Sequence, residues 1–374
     1  MASILPREFT RALARTRGLC SASIGGRRED RTVRRLLEGL RAGQRASLAE
    51  AITLVETSHP KKKQQAGQLL AAVLRDASKQ HAAKGTQALS FRIGLSGPPG
   101  AGKSTFIESF GKFLTAQGHR VAVLAVDPSS ATTGGSLLGD KTRMPELSKD
   151  PRAYIRPSPS RGHLGGVTRS TNEAVVLCEA AGHDVVVVET IGVGQSEFSV
   201  VDMVDMFALL IPPGGGDELQ GLKRGIMEMS DLVVVNKSDG DLVAAARRMQ
   251  YEYISALKFI RPKSASWKTP VRRISSFTQE GIPELWQVML EFRRTMEDSG
   301  EFVGRRKTQR RAWLWTHLRD NLLAAFRDTP GMRERIQEVE VQAMEGTVSP
   351  GDAADQLLLL HIAQLQKAAK PSQT

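Results

Sequence analysis

Cysteine is nearly absent and no long apolar run occurs. Only Cys20 and Cys178 appear among 374 residues, which excludes a disulfide scaffold and leaves no cysteine cluster for a metal site. The seven histidines are scattered, so a metal-carrying Cys/His cluster has no sequence signature either. No apolar stretch approaches the ~18–20 residues that a spanning helix needs, so no membrane segment is expected. No internal repeat is evident. What is present is ordinary for a soluble chain, with 40% hydrophobic and 25% charged residues. The length allows at least one large core and up to two or three domains.

The net charge of +12 is unevenly placed. Residues 1–28 hold Arg7, Arg11, Arg15, Arg17, Arg27 and Arg28 against a single acid, Glu8. Ile4, Leu5, Phe9 and Leu13 interleave with these arginines. An Arg-rich, acid-poor amphipathic start reads as a mitochondrial transit peptide, with a basic bacterial N-terminus as the alternative. A second basic run, Arg305-Arg306-Lys307-Thr308-Gln309-Arg310-Arg311, is expected to be a solvated helix face rather than a nucleic-acid patch.

Three zones follow from periodicity. Residues 29–88 read as a helical extension, with apolar stripes at Val33/Leu36/Leu37/Leu40, Leu48/Ile52/Leu54/Val55 and Leu69/Leu70/Val73/Leu74. Residues 89–295 alternate short Val/Ile/Leu-rich runs with helical segments. Strands are expected at 91–96, 121–127, 153–156, 184–190, 206–211, 232–236 and 271–275. Continuous apolar strands imply a sheet covered on both faces, hence a doubly wound, mostly parallel α/β domain with its ligand at the C-terminal strand ends. Residues 296–374 are helical again, after a helix over 285–296, with segments at 313–326, 332–344 and 350–366. There Trp313, Trp315, Leu318, Leu322, Leu323 and Phe326 form a stripe. It either packs on the α/β domain or forms an arm that holds a second subunit.

The chemistry centres on Phe91 to Thr105, FRIGLSGPPGAGKST. An apolar run leads through Gly97, Pro98, Pro99, Gly100, Ala101 and Gly102 into Lys103, Ser104 and Thr105, and then into an amphipathic helix. Strand, G-x-x-x-x-G-K-[ST], helix is the context that makes a phosphate-binding loop. Backbone N–H groups and the helix N-terminus would cradle phosphate oxygens, Lys103 would reach the β- and γ-phosphates, and Ser104 would ligate Mg²⁺.

Further along, Asn236-Lys237-Ser238-Asp239 closes an apolar strand. A carboxylate at Asp239 can accept both N1–H and N2–H₂ of guanine, a pairing that adenine lacks. Lys237 would lie across the base and Asn236 would tie the loop together, while the Ser275-Ser276 backbone would meet the base oxygen. A third strand ends Glu189-Thr190-Ile191-Gly192, the expected place for a Mg²⁺-linked acid and a γ-phosphate-sensing glycine. The residue after Gly192 is Val193, with Gln195 two further on, so slow intrinsic hydrolysis is expected. Asp127 and Asp140 are further acids for the same site.

The full set LSGPPGAGKST, VLAVDPSS, GDKTRM, SPSRGHLGGVT, ETIGVGQSE, PPGGGDELQGLKRGI and VNKSDGD resembles the MeaB/ArgK-type P-loop GTPases, from about Arg31 to Leu360. His163 departs from the pattern, which usually has threonine there. The resemblance implies a homodimeric GTPase that binds GTP and GDP with Mg²⁺ and acts as a chaperone of methylmalonyl-CoA mutase. It would gate adenosylcobalamin loading and protect or reactivate the mutase, with the cobalamin adenosyltransferase as a further partner. It implies metal-site and switch roles for Asp127, Asp140 and Glu189, with Lys103, Asp127 and Glu189 as the catalytic set. A mobile loop over 214–223 would couple nucleotide state to the mutase. Mitochondrial matrix is the location that fits the arginine-rich start, with bacterial cytoplasm as the alternative. Competing readings are a GTP-dependent metallochaperone, a kinase of a transport binding protein and a nucleic-acid-binding protein.

Overall fold

A computed structural model describes residues 30–57, 59–126, 144–158, 164–190, 200–214 and 224–369. Three helices come first: α1 (Arg31–Arg41), α2 (Arg45–Val55) and α3 (Pro60–Lys84). Asp30 caps α1, its carboxylate accepting from the Thr32 N–H at 2.9 Å. The α/β part then runs β1 (Phe91–Ser96), α4 (Lys103–Ala116), β2 (Val121–Val126), β3 (Ala153–Ser158), α5 (Leu164–Ala180), β4 (Val185–Thr190), β5 (Met206–Ile211), α6 (Arg224–Met229), β6 (Leu232–Val235), α7 (Val243–Leu257), β7 (Val271–Arg273) and α8 (Ile282–Asp298). The chain closes with α9 (Glu301–Arg327), α10 (Met332–Met344) and α11 (Pro350–Ala369).

The sheet order is β3-β2-β4-β1-β5-β6-β7, and every adjacent pair is parallel. The expected doubly wound α/β domain is therefore present, and the seven expected strands are the seven observed. β1 lies between β4 and β5, where the strand order reverses, which is the place such sheets open a crevice for ligand.

Alternate residues of each strand feed opposite cores. Phe91, Ile93 and Leu95 meet Phe106, Phe110, Trp286 and Phe292 of α4 and α8. Val186 and Val188 face the other way, into a core shared by α5 and the N-terminal helices through Leu36, Leu40, Ile52 and Leu69. The N-terminal extension thus rests directly on the sheet face that α5 covers.

One sequence expectation needs correction. The basic run at 305–311 is not a uniformly solvated face. It lies in the first half of α9, a helix that starts at Glu301 rather than near 313. Arg306 is 3% exposed in its side chain and bonds Asp205 through both Nε and Nη2 at 2.7 Å, while Nη2 also donates to the Ser90 carbonyl at 2.8 Å. Arg305 pairs with Asp231 at 2.8 and 3.0 Å. Arg92 on β1 grips Glu179 of α5 at 2.7 and 2.8 Å. Lys307, Arg310 and Arg311 remain exposed.

The inward stripe of α9 is the buried Phe302, Arg306 and Gln309 and then the half-buried Trp313, at spacings of four, three and four. Half of that stripe is polar, which hid the helix from a search for apolar periodicity. The network sits where β1, β5 and β6 begin, opposite the loops that follow their C-terminal ends. Burying these charges is tolerable because each carboxylate meets a guanidinium in a paired geometry.

Burial by itself would raise the Glu179 pKa, but Arg92 and Arg306, with hydrogen bonds from Arg92 and Ser90, outweigh it and hold the carboxyl at about 2. Unfolding returns it to an ordinary value of 4.5. A depressed carboxylate stabilises the fold above its unfolded pKa, and that contribution disappears as pH falls from about 4.5 towards 2. Chemical denaturation measured across that interval should show a flatter acid slope for Glu179→Gln than for the wild-type chain, together with lower stability at neutral pH.

Candidate nucleotide site

β1 delivers the chain into a tight loop that packs against β5. A Cβ built on Gly97 would lie 2.0 Å from the Leu210 carbonyl oxygen, so only glycine lets the loop approach that strand. Gly102 takes φ +86° as the residue before α4, and a Cβ there would lie 2.6 Å from Asn236 Nδ2. No side chain caps α4, which leaves its first N–H groups to the loop, the arrangement that anions seek at a helix N-terminus. Lys103 folds back so that Nζ donates to the Gly97 and Pro98 carbonyls at 2.7 and 3.3 Å. Ser104 follows it in the first turn of α4, with the exposed Thr105 next. Pro99 and Gly100 form the exposed tip, whereas Pro98 and Ala101 are buried.

Glu189 stands one residue before the end of β4, paired in register with Leu95 of β1 and Ala125 of β2, and is 4% exposed. Beside it the Thr190 hydroxyl donates to Ser96 Oγ at 2.9 Å. The register places this acid on the strand next to the phosphate-loop strand, at the same end of the sheet.

Asn236 follows β6 directly and joins three segments. Its Nδ2 donates to the Ala101 carbonyl at 2.9 Å, and its Oδ1 accepts from Ser276 N at 3.1 Å and Ser276 Oγ at 2.7 Å. Lys237 is exposed and held at φ +56°. Ser275 Oγ donates to Asp239 and accepts from Thr278 N at 3.0 Å. The Ser275 and Ser276 N–H groups are both engaged inside the protein, with the Glu280 carbonyl at 3.0 Å and with Asn236.

One residue that no motif flagged also reaches this loop. Ser109 on α4 donates its hydroxyl to the Ser276 carbonyl at 2.6 Å. A lone serine inside an amphipathic helix carries no sequence signal for such a contact. Asp127, Asp140, Gly192, Gln195, His163 and residues 215–223 lie outside the described residues. Cys178, buried in the core of α5, has its thiol pushed up by burial and cannot serve as an exposed ligand.

A phosphate-type loop after the central strand, an acid at the end of its neighbour and an N-K-x-D segment braced against the phosphate loop and the loop after β7 define a P-loop GTPase. The model of a family described as methylmalonyl Co-A mutase-associated GTPase MeaB matches residues 48–331, and the chain belongs to that family. It is 60% identical over 331 residues to the mitochondrial methylmalonic aciduria type A homolog of Mus musculus, covering 88% of this chain and 80% of that protein. It is 43% identical over 329 residues to the GTPase ArgK of Escherichia coli, covering 87% and 96%. Among solved structures, one described as an LAO/AO transport system kinase superposes with a TM-score of 0.68 at 34% identity, covering 90% of this chain and 99% of that one.

Because Gly97 has no room for a methyl group, Gly97→Ala should displace the loop from β5. GTP turnover measured at saturating nucleotide is expected to fall by roughly tenfold or more.

Proposed function

We propose that this GTPase acts as a chaperone of methylmalonyl-CoA mutase, its hydrolysis timing adenosylcobalamin loading and protection or reactivation of the mutase. The observation that carries the reading is the family match over 48–331, whose description names a mutase-associated GTPase. The 60% identity to the mouse homolog supports it. The arginine-rich start and that relative's mitochondrial name favour the matrix as location. The cobalamin adenosyltransferase is a further candidate partner.

In this reading the α4 N-terminus and loop N–H groups hold the phosphates, and Lys103 leaves its loop carbonyls to neutralise β- and γ-oxygens. The donors present fit Mg²⁺: Ser104 and Glu189 are hard oxygen ligands, and this ion keeps most of its shell as water and phosphate oxygen. When bound, the ion would offset charge on the transferring phosphoryl group. Asp127, Asp140 and Gly192 complete the proposed switch and metal set. Asp239 reads the guanine N1–H and N2–H₂ while Lys237 covers the base.

The C-terminal helices support a homodimer. Leu314, Trp315, Leu318, Leu322 and Leu323 on α9, with Leu358, Leu359, Ile362 and Leu365 on α11, are all exposed. An apolar stripe exposed along a helix is the kind of surface that an interaction partner covers.

The decisive assay is GTP hydrolysis by the purified chain with and without a cobalamin-dependent methylmalonyl-CoA mutase, with ATP as control. Slow GTP turnover accelerated by the mutase is expected. Good turnover with no response and no complex would discard the partner, and phosphate transfer to a transport binding protein would favour the kinase reading. Asp239→Asn should shift preference from GTP towards xanthosine triphosphate, read by competition binding. An unchanged guanine preference would overturn the assignment of Asp239.

A further inference from the structure

The loop that follows β7 has little support of its own. β7 is a three-residue strand at the sheet edge, bonded only to β6, and the chain leaves it through Gln279 at φ +64° and Gly281 at φ +79°. Within this loop the N–H groups of Ser275, Ser276 and Thr278 are satisfied by Glu280, Asn236 and Ser275. The Phe277 N–H has no protein acceptor among the described residues, and the Phe277 residue is 85% exposed.

Ser109 acts on the same peptide unit. A trans peptide is planar, with its C=O and N–H pointing in opposite directions. The Ser276 carbonyl that accepts from Ser109 and the Phe277 N–H belong to one such plane. Fixing the carbonyl against α4 therefore fixes the N–H on the opposite side, away from the helix.

Ser109 makes this contact instead of the usual one. A serine inside a helix commonly returns its hydroxyl to the carbonyl four residues earlier. Here it reaches a residue 167 positions away. The bond closes a ring: Ala101 accepts from Asn236, Asn236 accepts from Ser276, Ser276 accepts from Ser109, and α4 leads back to the phosphate loop.

We propose that Ser109 is a positioning residue for the base, aiming the Phe277 N–H at the carbonyl oxygen of a 6-oxopurine nucleotide. This rests on the guanine reading above and deepens it. Ser109 spans the two ends of the nucleotide, since α4 begins at the phosphate loop and its second turn holds the base loop. The Phe277 N–H offers a donor that matches the 6-oxo group of guanine or hypoxanthine and mismatches the 6-amino group of adenine. Asp239 reads a different edge, so the two contacts can be separated by choice of nucleotide.

The test is equilibrium binding of GTP, GDP, ITP and ATP to full-length wild-type chain, Ser109→Ala and Ser109→Thr, with turnover and nucleotide-free melting measured alongside. For Ser109→Ala the dissociation constants for GTP, GDP and ITP should rise together by about tenfold. The GTP-over-ATP preference should narrow by the same factor while the GTP-over-ITP ratio holds. Turnover at saturating GTP and the nucleotide-free melting temperature should stay at wild-type levels, and Ser109→Thr should restore affinity. Affinities within about twofold of wild type would overturn the proposal. So would a loss for GTP that spares ITP, which would place the effect on Asp239, or a loss that accompanies lower melting and escapes rescue by threonine. A wild-type chain without guanine preference would overturn the base reading itself, and this proposal with it.

Discussion

A single side-chain amide couples the two halves of the nucleotide site. Asn236 bonds the phosphate loop through Ala101 and the loop after β7 through Ser276, using its donor and acceptor ends at once. A buried amide that is satisfied on both ends leaves little freedom to the segments it joins, because breaking either bond strands a polar group away from water. The phosphate loop, the N-K-x-D segment and the loop after β7 come from chain positions far apart. They hold a common geometry because each is bonded to this side chain or to a neighbour of it. The close approach of Gly102 to Asn236 Nδ2 belongs to the same constraint, since a side chain at that position would push the bridge apart.

The other end of the sheet is held by charge. Asp205 and Asp231, the residues immediately before β5 and β6, receive Arg306 and Arg305, while Arg92 on β1 takes Glu179 from α5. α9 is thus fastened to the starts of the same strands whose C-terminal ends carry the site. Past Trp313, whose Nε1 donates to the Asp202 carbonyl at 2.9 Å, the helix leaves the α/β core and turns an apolar face outward. The first half of one helix is therefore part of the GTPase, and its second half offers surface to something else.

Much of this was legible in residue order. Continuous apolar strands, the glycine-rich turn and the N-K-x-D segment are local signals. Strand burial on both faces and close backbone approach each need particular residue types at fixed short spacing, so the parallel sheet and the phosphate-type loop could be read from sequence. The Arg305–Arg311 run could not be read this way. A basic run looks solvated until its acids are located, and those acids lie on β-strand starts and on α5, more than seventy residues away in sequence.

The sequence by itself therefore determined the class of fold, the order of its strands along the chain and where the glycine-rich loop and the N-K-x-D segment fall on it. Those properties follow from periodicity and from local spacing. The tertiary structure decided which loops share one amide, which arginines are buried and which serine braces the loop after β7. Each of those is a pairing between distant segments, and hydrogen-bond geometry over a few ångströms has no counterpart in the spacing of residues along the chain.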